Sequence, residues 1–156
     1  MRLICVLVGL LVLTFLPARA GHSPPKIFLR IHVQTTGEGL SPLEATPIPL
    51  PPNGEQILVR TMPEITEQNL IGVDETAAGV VRFQFNHQGQ VALNAVTAQN
   101  QGRILVVLLN GVVIYAPIID QQINSGELDV PRPLNPQIIA LLQEVAKKNL
   151  RQAAKT

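Results

Sequence analysis

Residues 97–119 read TAQNQGRILVVLLNGVVIYAPII, and their order decides the fold. Asn100, Gln101 and Gly102 close a helix, because Asn and Gly tolerate the left-handed backbone found there. Residues 104–109, ILVVLL, are consecutively apolar. As a strand such a run is buried on both faces and sits centrally in its sheet. Asn110-Gly111 supplies the two positive φ angles of a type I′ turn, so residues 112–116 return antiparallel. Pro117 then stops the ladder.

Upstream of this stretch, Gly79 is followed by VVRFQFN, which places Val81, Phe83 and Phe85 on one strand face and Arg82 and Gln84 on the other. Residues 88–99 read as a helix with Val91, Ala92, Ala95 and Val96 on the inward stripe and Gln90, Asn94 and Thr97 opposite. Downstream, Gly126 leads into a weaker strand at 127–130. Asn135-Pro136 then reads as N-cap and first helical position. Ile138, Leu141, Leu142 and Val145 follow at helical spacing, with Lys147, Lys148 and Arg151 near the C-terminal end of the dipole. The order strand, helix, strand, strand, strand, helix predicts an α+β domain with a mainly antiparallel sheet and helices on one face.

An N-terminal strand and a Pro-rich connector precede that unit. Residues 26–36, KIFLRIHVQTT, alternate apolar Ile27, Leu29, Ile31 and Val33 with Phe28, Arg30, His32 and Gln34, which puts His32 on the exposed face. Five prolines between 37 and 54 exclude a helix and a central strand and predict an extended, semi-rigid segment. A short strand is expected at 56–60. Thr66 and Asn69 fall short of the capping-box signature, so a single helical turn is expected there. The expected organisation is a signal peptide at 1–20, the N-terminal strand and connector at 21–56, the main domain at 57–146 and a basic tail at 147–156.

The signal reading rests on Arg2, the apolar stretch at 3–16, Pro17 and the A-x-A pattern Ala18-Arg19-Ala20 before Gly21. Fourteen residues are short for a membrane span, although an uncleaved anchor is the alternative. Cleavage between Ala20 and Gly21 would leave ten Lys and Arg against eleven Asp and Glu. A nearly neutral chain with no Trp, one Tyr and three remaining Phe lacks both the charge footprint and the stacking residues of a nucleic-acid binder. Cys5 is the only cysteine and lies in the leader, which excludes a disulfide or thiolate site in the remainder.

Residues 79–146, and more loosely 57–78, resemble the head of the first periplasmic domain of the SecD family of protein-export subunits. The resemblance is carried by Phe85, Asn86 and Gly89; by Thr97, Asn100, Gly102 and Arg103; by Leu108, Asn110, Gly111 and Val113; and by Ala116, Pro117, Ile119, Ile123 and Gly126. It implies a domain that projects outside the cytoplasmic membrane beside the translocation channel, secreted or periplasmic here, and contacts emerging, unfolded polypeptide. No apolar stretch after Pro17 is long enough to span a bilayer, so this chain is not expected to couple a proton gradient itself.

No cofactor, metal or catalytic group is expected. His22, His32 and His87 have no ligand spacing, and Ser23, Ser41 and Ser125 lack a nucleophile elbow. Glu64 with Glu67, or Asp120 with Glu127 and Asp129, are the carboxylates that could pair for acid-base work, and solvated positions explain them equally. Ile118, Ile119 and Ile123 flank a polar loop and are expected to tuck under the sheet, the alternative being an exposed apolar patch that binds a partner. The candidate polypeptide-binding residues are Val112, Val113 and Tyr115, on a second hairpin strand (112–116) lying near a sheet edge, with Ile118 and Ile119 in the loop that follows it. Pairing of 127–130 alongside that strand would instead close the edge. The expected function is a non-enzymatic extracytoplasmic binding module for extended polypeptide or a partner protein. The alternatives are a small envelope hydrolase or a structural envelope component.

Overall fold

The computed structural model describes residues 26–39, 41, 43–76 and 78–155; the leader, Cys5 and the Ala20–Gly21 boundary lie outside the described residues. The strands are β1 (Leu29–Val33), β2 (Ala45–Leu50), β3 (Glu55–Arg60), β4 (Ile65–Thr66), β5 (Leu70–Glu75), β6 (Val81–Phe85), β7 (Leu105–Leu109), β8 (Val112–Tyr115) and β9 (Glu127–Val130). Two helices, α1 (His87–Gln99) and α2 (Pro136–Ala153), and a 3-10 turn at Glu67–Asn69 complete the described elements. The strands form a four-stranded sheet of order β4-β1-β7-β8, a three-stranded sheet β5-β6-β9 and the hairpin β2–β3. Every pairing is antiparallel, so the class is α+β as the element order predicts.

All five residues of β7 are buried, and alternation divides them between two cores. Leu105, Val107 and Leu109 join the larger cluster, which includes Ile31 of β1, Phe83 of β6, Leu93 of α1 and Leu142 of α2. Val106 and Leu108 point the other way and meet Ile48, Ile57, Val59 and Val113. The helices therefore cover one face of the four-stranded sheet and the β2–β3 hairpin covers part of the other.

That hairpin corrects the placement of His32. Its side chain is 5% exposed, because the hairpin lies over the sheet face that strand alternation alone assigns to solvent. The Nδ1 atom sits 2.8 Å from the Arg60 carbonyl oxygen, which satisfies one polar ring atom inside the seam. Pro47 and Pro49 do not prevent β2 from pairing along its length with β3. They fall at alternate residues whose missing N–H groups face away from the partner.

The inward stripe of α1 also differs from expectation. Gly89, Leu93, Val96 and Thr97 are buried, at i, i+4, i+7 and i+8, while Val91 is 54% exposed. Leu93 is the largest apolar side chain of the helix and orients it. Thr97 can face the core because its hydroxyl donates to the Leu93 carbonyl oxygen at 2.7 Å and accepts from the Ile123 amide at 2.9 Å. At the 3-10 turn a capping box does form, with Asn69 in the place usually held by Glu or Gln: its Oδ1 accepts from the Thr66 amide at 3.1 Å.

Candidate functional site

Most free strand edges of this fold are blocked. The outer side of β2 carries Pro47 and Pro49, and α2 covers β5, where Gln143 donates to the Val73 carbonyl oxygen at 3.0 Å and Asn149 to that of Leu70 at 2.8 Å. Beside β3 the Thr35 amide donates to the Leu58 carbonyl oxygen at 2.8 Å. The β4 strand has only two residues, and β9 carries the charged Glu127 and Asp129.

The β8 strand differs from all of these. Its sequence VVIY has neither charge nor proline, and among the described residues no strand lies on its far side. Residues 127–130 do not close it, because β9 pairs with β6 instead, from Val81↔Val130 to Gln84↔Glu127. The turn that aims β8 is the expected one, with Asn110 at φ 50 and Gly111 at φ 81. Asn110 adds a function that its turn propensity does not reveal: its Oδ1 accepts from the Phe28 amide at 2.9 Å, and its own amide donates to the Phe28 carbonyl oxygen at 2.8 Å.

In the ladder, Leu109 pairs with Val112 next to the two-residue turn, so the Val113 N–H and C=O face outward. Register then shifts by one residue at Ile114, a bulge that increases the local twist. Val112 and Ile118 are 64% and 65% exposed, Tyr115 is half-buried, and Val113 and Ile119 are buried. Ile119 and Ile123 tuck into or against the larger core, as expected of loop isoleucines; Ile118 does not. The proposed contact residues thus separate into outward side chains at 112 and 118, a half-buried Tyr115 that packs against the larger core, outward main chain at 113, and a buried support at 119.

Beside the end of β8 runs a groove of about 380 Å³, with Tyr115, Pro117 and Ile118 on one wall and Arg82, Glu127 and Asp129 on the other. Arg82 binds Asp129 through two nitrogens, at 2.7 and 2.8 Å, and approaches Glu127 at 3.5 Å. The hydrogen bonds from Arg82 hold the Asp129 carboxyl below the usual carboxylate range, and its ion-pair partners raise the Arg82 pKa in turn. Asp129 is therefore a fixed anion, unsuited to general acid work. Glu64 lies 3.9 Å from Arg60. No three His, Cys, Asp or Glu side chains among the described residues gather to hold a metal.

The family-motif residues converge on the supports of this edge. Phe85 is buried, and Asn86 caps α1 by accepting from the Gly89 amide at 2.9 Å. Asn100 donates from Nδ2 to the Val96 carbonyl oxygen at 2.8 Å, and Arg103 donates to Asn100 at 3.3 Å. Gly102, at φ 81, donates its amide to Ile119, and Gly126, at φ 76, accepts from the Phe85 amide. Ala116 packs against the smaller core, and the Pro117 carbonyl oxygen accepts from the Leu105 amide at 2.9 Å. Gln90 and Asn94, which motif reading did not single out, complete the support: Gln90 donates to the Asn124 carbonyl oxygen at 2.8 Å, and Asn94 accepts from Gln122 at 2.9 Å.

Comparison with known proteins agrees with this arrangement. The family model described as the SecDF P1 head subdomain matches residues 43–132. The protein translocase subunit SecD of Acidaminococcus fermentans is 35% identical over 57 residues, which are 36% of this chain and 14% of that protein. A solved structure of a membrane component SecDF that enhances protein export superposes with a TM-score of 0.55 at 19% identity, covering 77% of this chain and 63% of that one. A structure of SecDF in its Super-membrane-facing form gives a TM-score of 0.55 at 20% identity, covering 74% and 18%. The chain thus spans less than two thirds of each of these relatives. Among its own described residues no helix is long and apolar enough to cross a membrane.

Proposed function

The chain belongs to the SecDF P1 head subdomain family, and from that membership we propose that it is a non-enzymatic extracytoplasmic module that captures extended polypeptide on the β8 edge in the service of protein export. The observation that supports this reading is that, among the described residues, the β8 edge is unblocked while the other edges are short or carry proline, charge or a covering element. Main-chain groups such as those of Val113 accept another strand whatever its sequence, which suits a module meeting many unfolded chains. The exposed Val112 and Ile118 add apolar contact to the incoming strand, and the half-buried Tyr115 lines the adjoining groove.

The test is amide exchange of the chain with and without a permanently unfolded polypeptide, repeated for Val112→Lys and Ile118→Lys. Both positions are exposed, so the variants should keep their stability within about 0.5 kcal/mol. Added protection should appear in residues 112–118 of the wild type and be lost in the variants. Protection confined to other segments, or equal binding by wild type and both variants, would remove β8 from the binding role.

A further inference from the structure

Six of the ten Lys and Arg beyond the leader lie at the start of β1 and the end of α2, segments that meet where Lys26, Phe28 and Lys148 line a common groove. Lys26 and Phe28 line one groove with Lys148 and Gln152, and a second with Arg30. Along α2, Lys148 and Arg151 stand at i and i+3 on one stripe with Lys147 beside it, and Lys155 follows in the turn just beyond the helix end. All six cations are exposed. Residues 147–155 contain no carboxylate, and Glu67 and Glu144 are the two carboxylates that border the groove. On a chain with nearly balanced total charge, this side carries a local excess of cations. Phe28, 42% exposed, lies among them with the Arg30 guanidinium 5.9 Å from its ring centroid.

We infer that this face, formed by Lys26, Phe28, Arg30, Lys148, Arg151 and Lys155, rests on an anionic lipid bilayer. Charge complementarity alone would equally suit an acidic polypeptide, and the position of Lys26 in the chain favours the membrane. Nine residues separate it from the apolar stretch at 3–16, a reach of about 30 Å when extended. A chain whose leader is still in the bilayer therefore holds this face within reach of the lipid headgroups, and an aromatic ring among cations suits that interface. After the leader is removed the same contacts become a reversible, salt-sensitive attraction, each cation near an anionic surface favouring the bound state about fivefold. The surface shares no residue with β8, so its test is independent of polypeptide capture.

Both hydrophobic clusters lie between Ile27 and Ala146, so a chain starting at Gly21 keeps its core and loses the apolar leader as a competing lipid contact. Cosedimentation with phosphatidylcholine vesicles, pure or containing about a third phosphatidylglycerol, reads the contact directly. Binding should require phosphatidylglycerol and fall steeply as salt is raised. The triple variant Lys26→Gln, Lys148→Gln and Arg151→Gln should lose on the order of a hundredfold in partition, whereas the remote pair Arg60→Gln and Arg132→Gln should not. Equal binding to both vesicle types, no binding to either, or wild-type binding by the triple variant would overturn the inference. Binding of poly-glutamate without binding of anionic vesicles would assign the face to acidic polypeptide and overturn it equally.

Discussion

Replacing Gly89 by alanine sets two known effects of opposite sign against each other. In an ordinary helix interior the added methyl stabilises by about 0.8–1 kcal/mol, because glycine is the poorer helix former and the more flexible in the unfolded chain. Gly89 lies in the first turn of α1, where a Cβ would stand 2.8 Å from the Phe85 Cβ and 2.9 Å from the Asn69 Cβ. Carbon pairs are comfortable at about 3.5–4.0 Å, so both contacts are well inside repulsion. Neither neighbour is the mobile end of a side chain; each Cβ moves only with its backbone. Relief requires α1 to shift away from the end of β6 and from the 3-10 turn. That shift strains the Asn86 cap and the hydrogen bond at 2.8 Å from the Asn86 amide to the Asn69 carbonyl oxygen. Overpacking costs about 1–3 kcal/mol and a weakened cap about 1 kcal/mol more, so the net expectation after the helix gain is a loss of about 2 kcal/mol. Urea denaturation followed by circular dichroism would show a lower midpoint at unchanged slope. An unchanged or raised midpoint would refute the close approach of α1 to Asn69 and Phe85.

Thr97→Val should cost about 1–3 kcal/mol in the same assay, since it leaves the Ile123 amide without its acceptor while preserving side-chain shape. His32 should make stability fall on acidification: burial, the leading cause, lowers its pKa with a smaller push from Arg30, against the Arg60 carbonyl oxygen and Glu64. Because the folded pKa is depressed, this contribution is present above the unfolded value of about 6.5 and is lost as pH falls below it; His32→Asn should flatten the profile there. Intact-mass measurement of exported protein should show a chain beginning at Gly21, and retention of residues 1–20 would make the module membrane-tethered.

The hairpin of β7 and β8 was legible because every local signal agreed: an apolar run for both faces, Asn-Gly for the turn, proline for the stop. His32 was not, since a polar residue in an alternating strand reads as solvent-facing unless the distant β2–β3 hairpin is known to fold over it. Local sequence also cannot choose the partner of β9, because an alternating four-residue strand fits beside β6 or β8 equally well. The inward face of α1 departs from its sequence pattern for a related reason. Threonine ranks as polar, yet Thr97 satisfies its hydroxyl through its own helix and the Ile123 amide, so it enters the core without an unpaired group. Asn69 escaped the capping-box pattern because its shorter amide performs a task usually assigned to Glu or Gln.

The open edge follows from the way the chain leaves it. After Tyr115 the backbone must cross from the four-stranded sheet to the other sheet, where β9 joins β6, and the crossing is fastened at both ends. Near β8, Ile119 exchanges hydrogen bonds of 2.8 Å with Gly102 and Arg103. Near β9, Gln122, Ile123 and Asn124 are bound by Asn94, Thr97 and Gln90 of α1. With Ile119 and Ile123 drawn inward, Ile118 is left outward by alternation, and the chain that might have supplied a fifth strand is committed to the second sheet. The residues that hold this crossing include many of those that carry the family resemblance. Their contacts keep the chain off the outer side of β8, and that is what leaves this edge open for the strand addition proposed above.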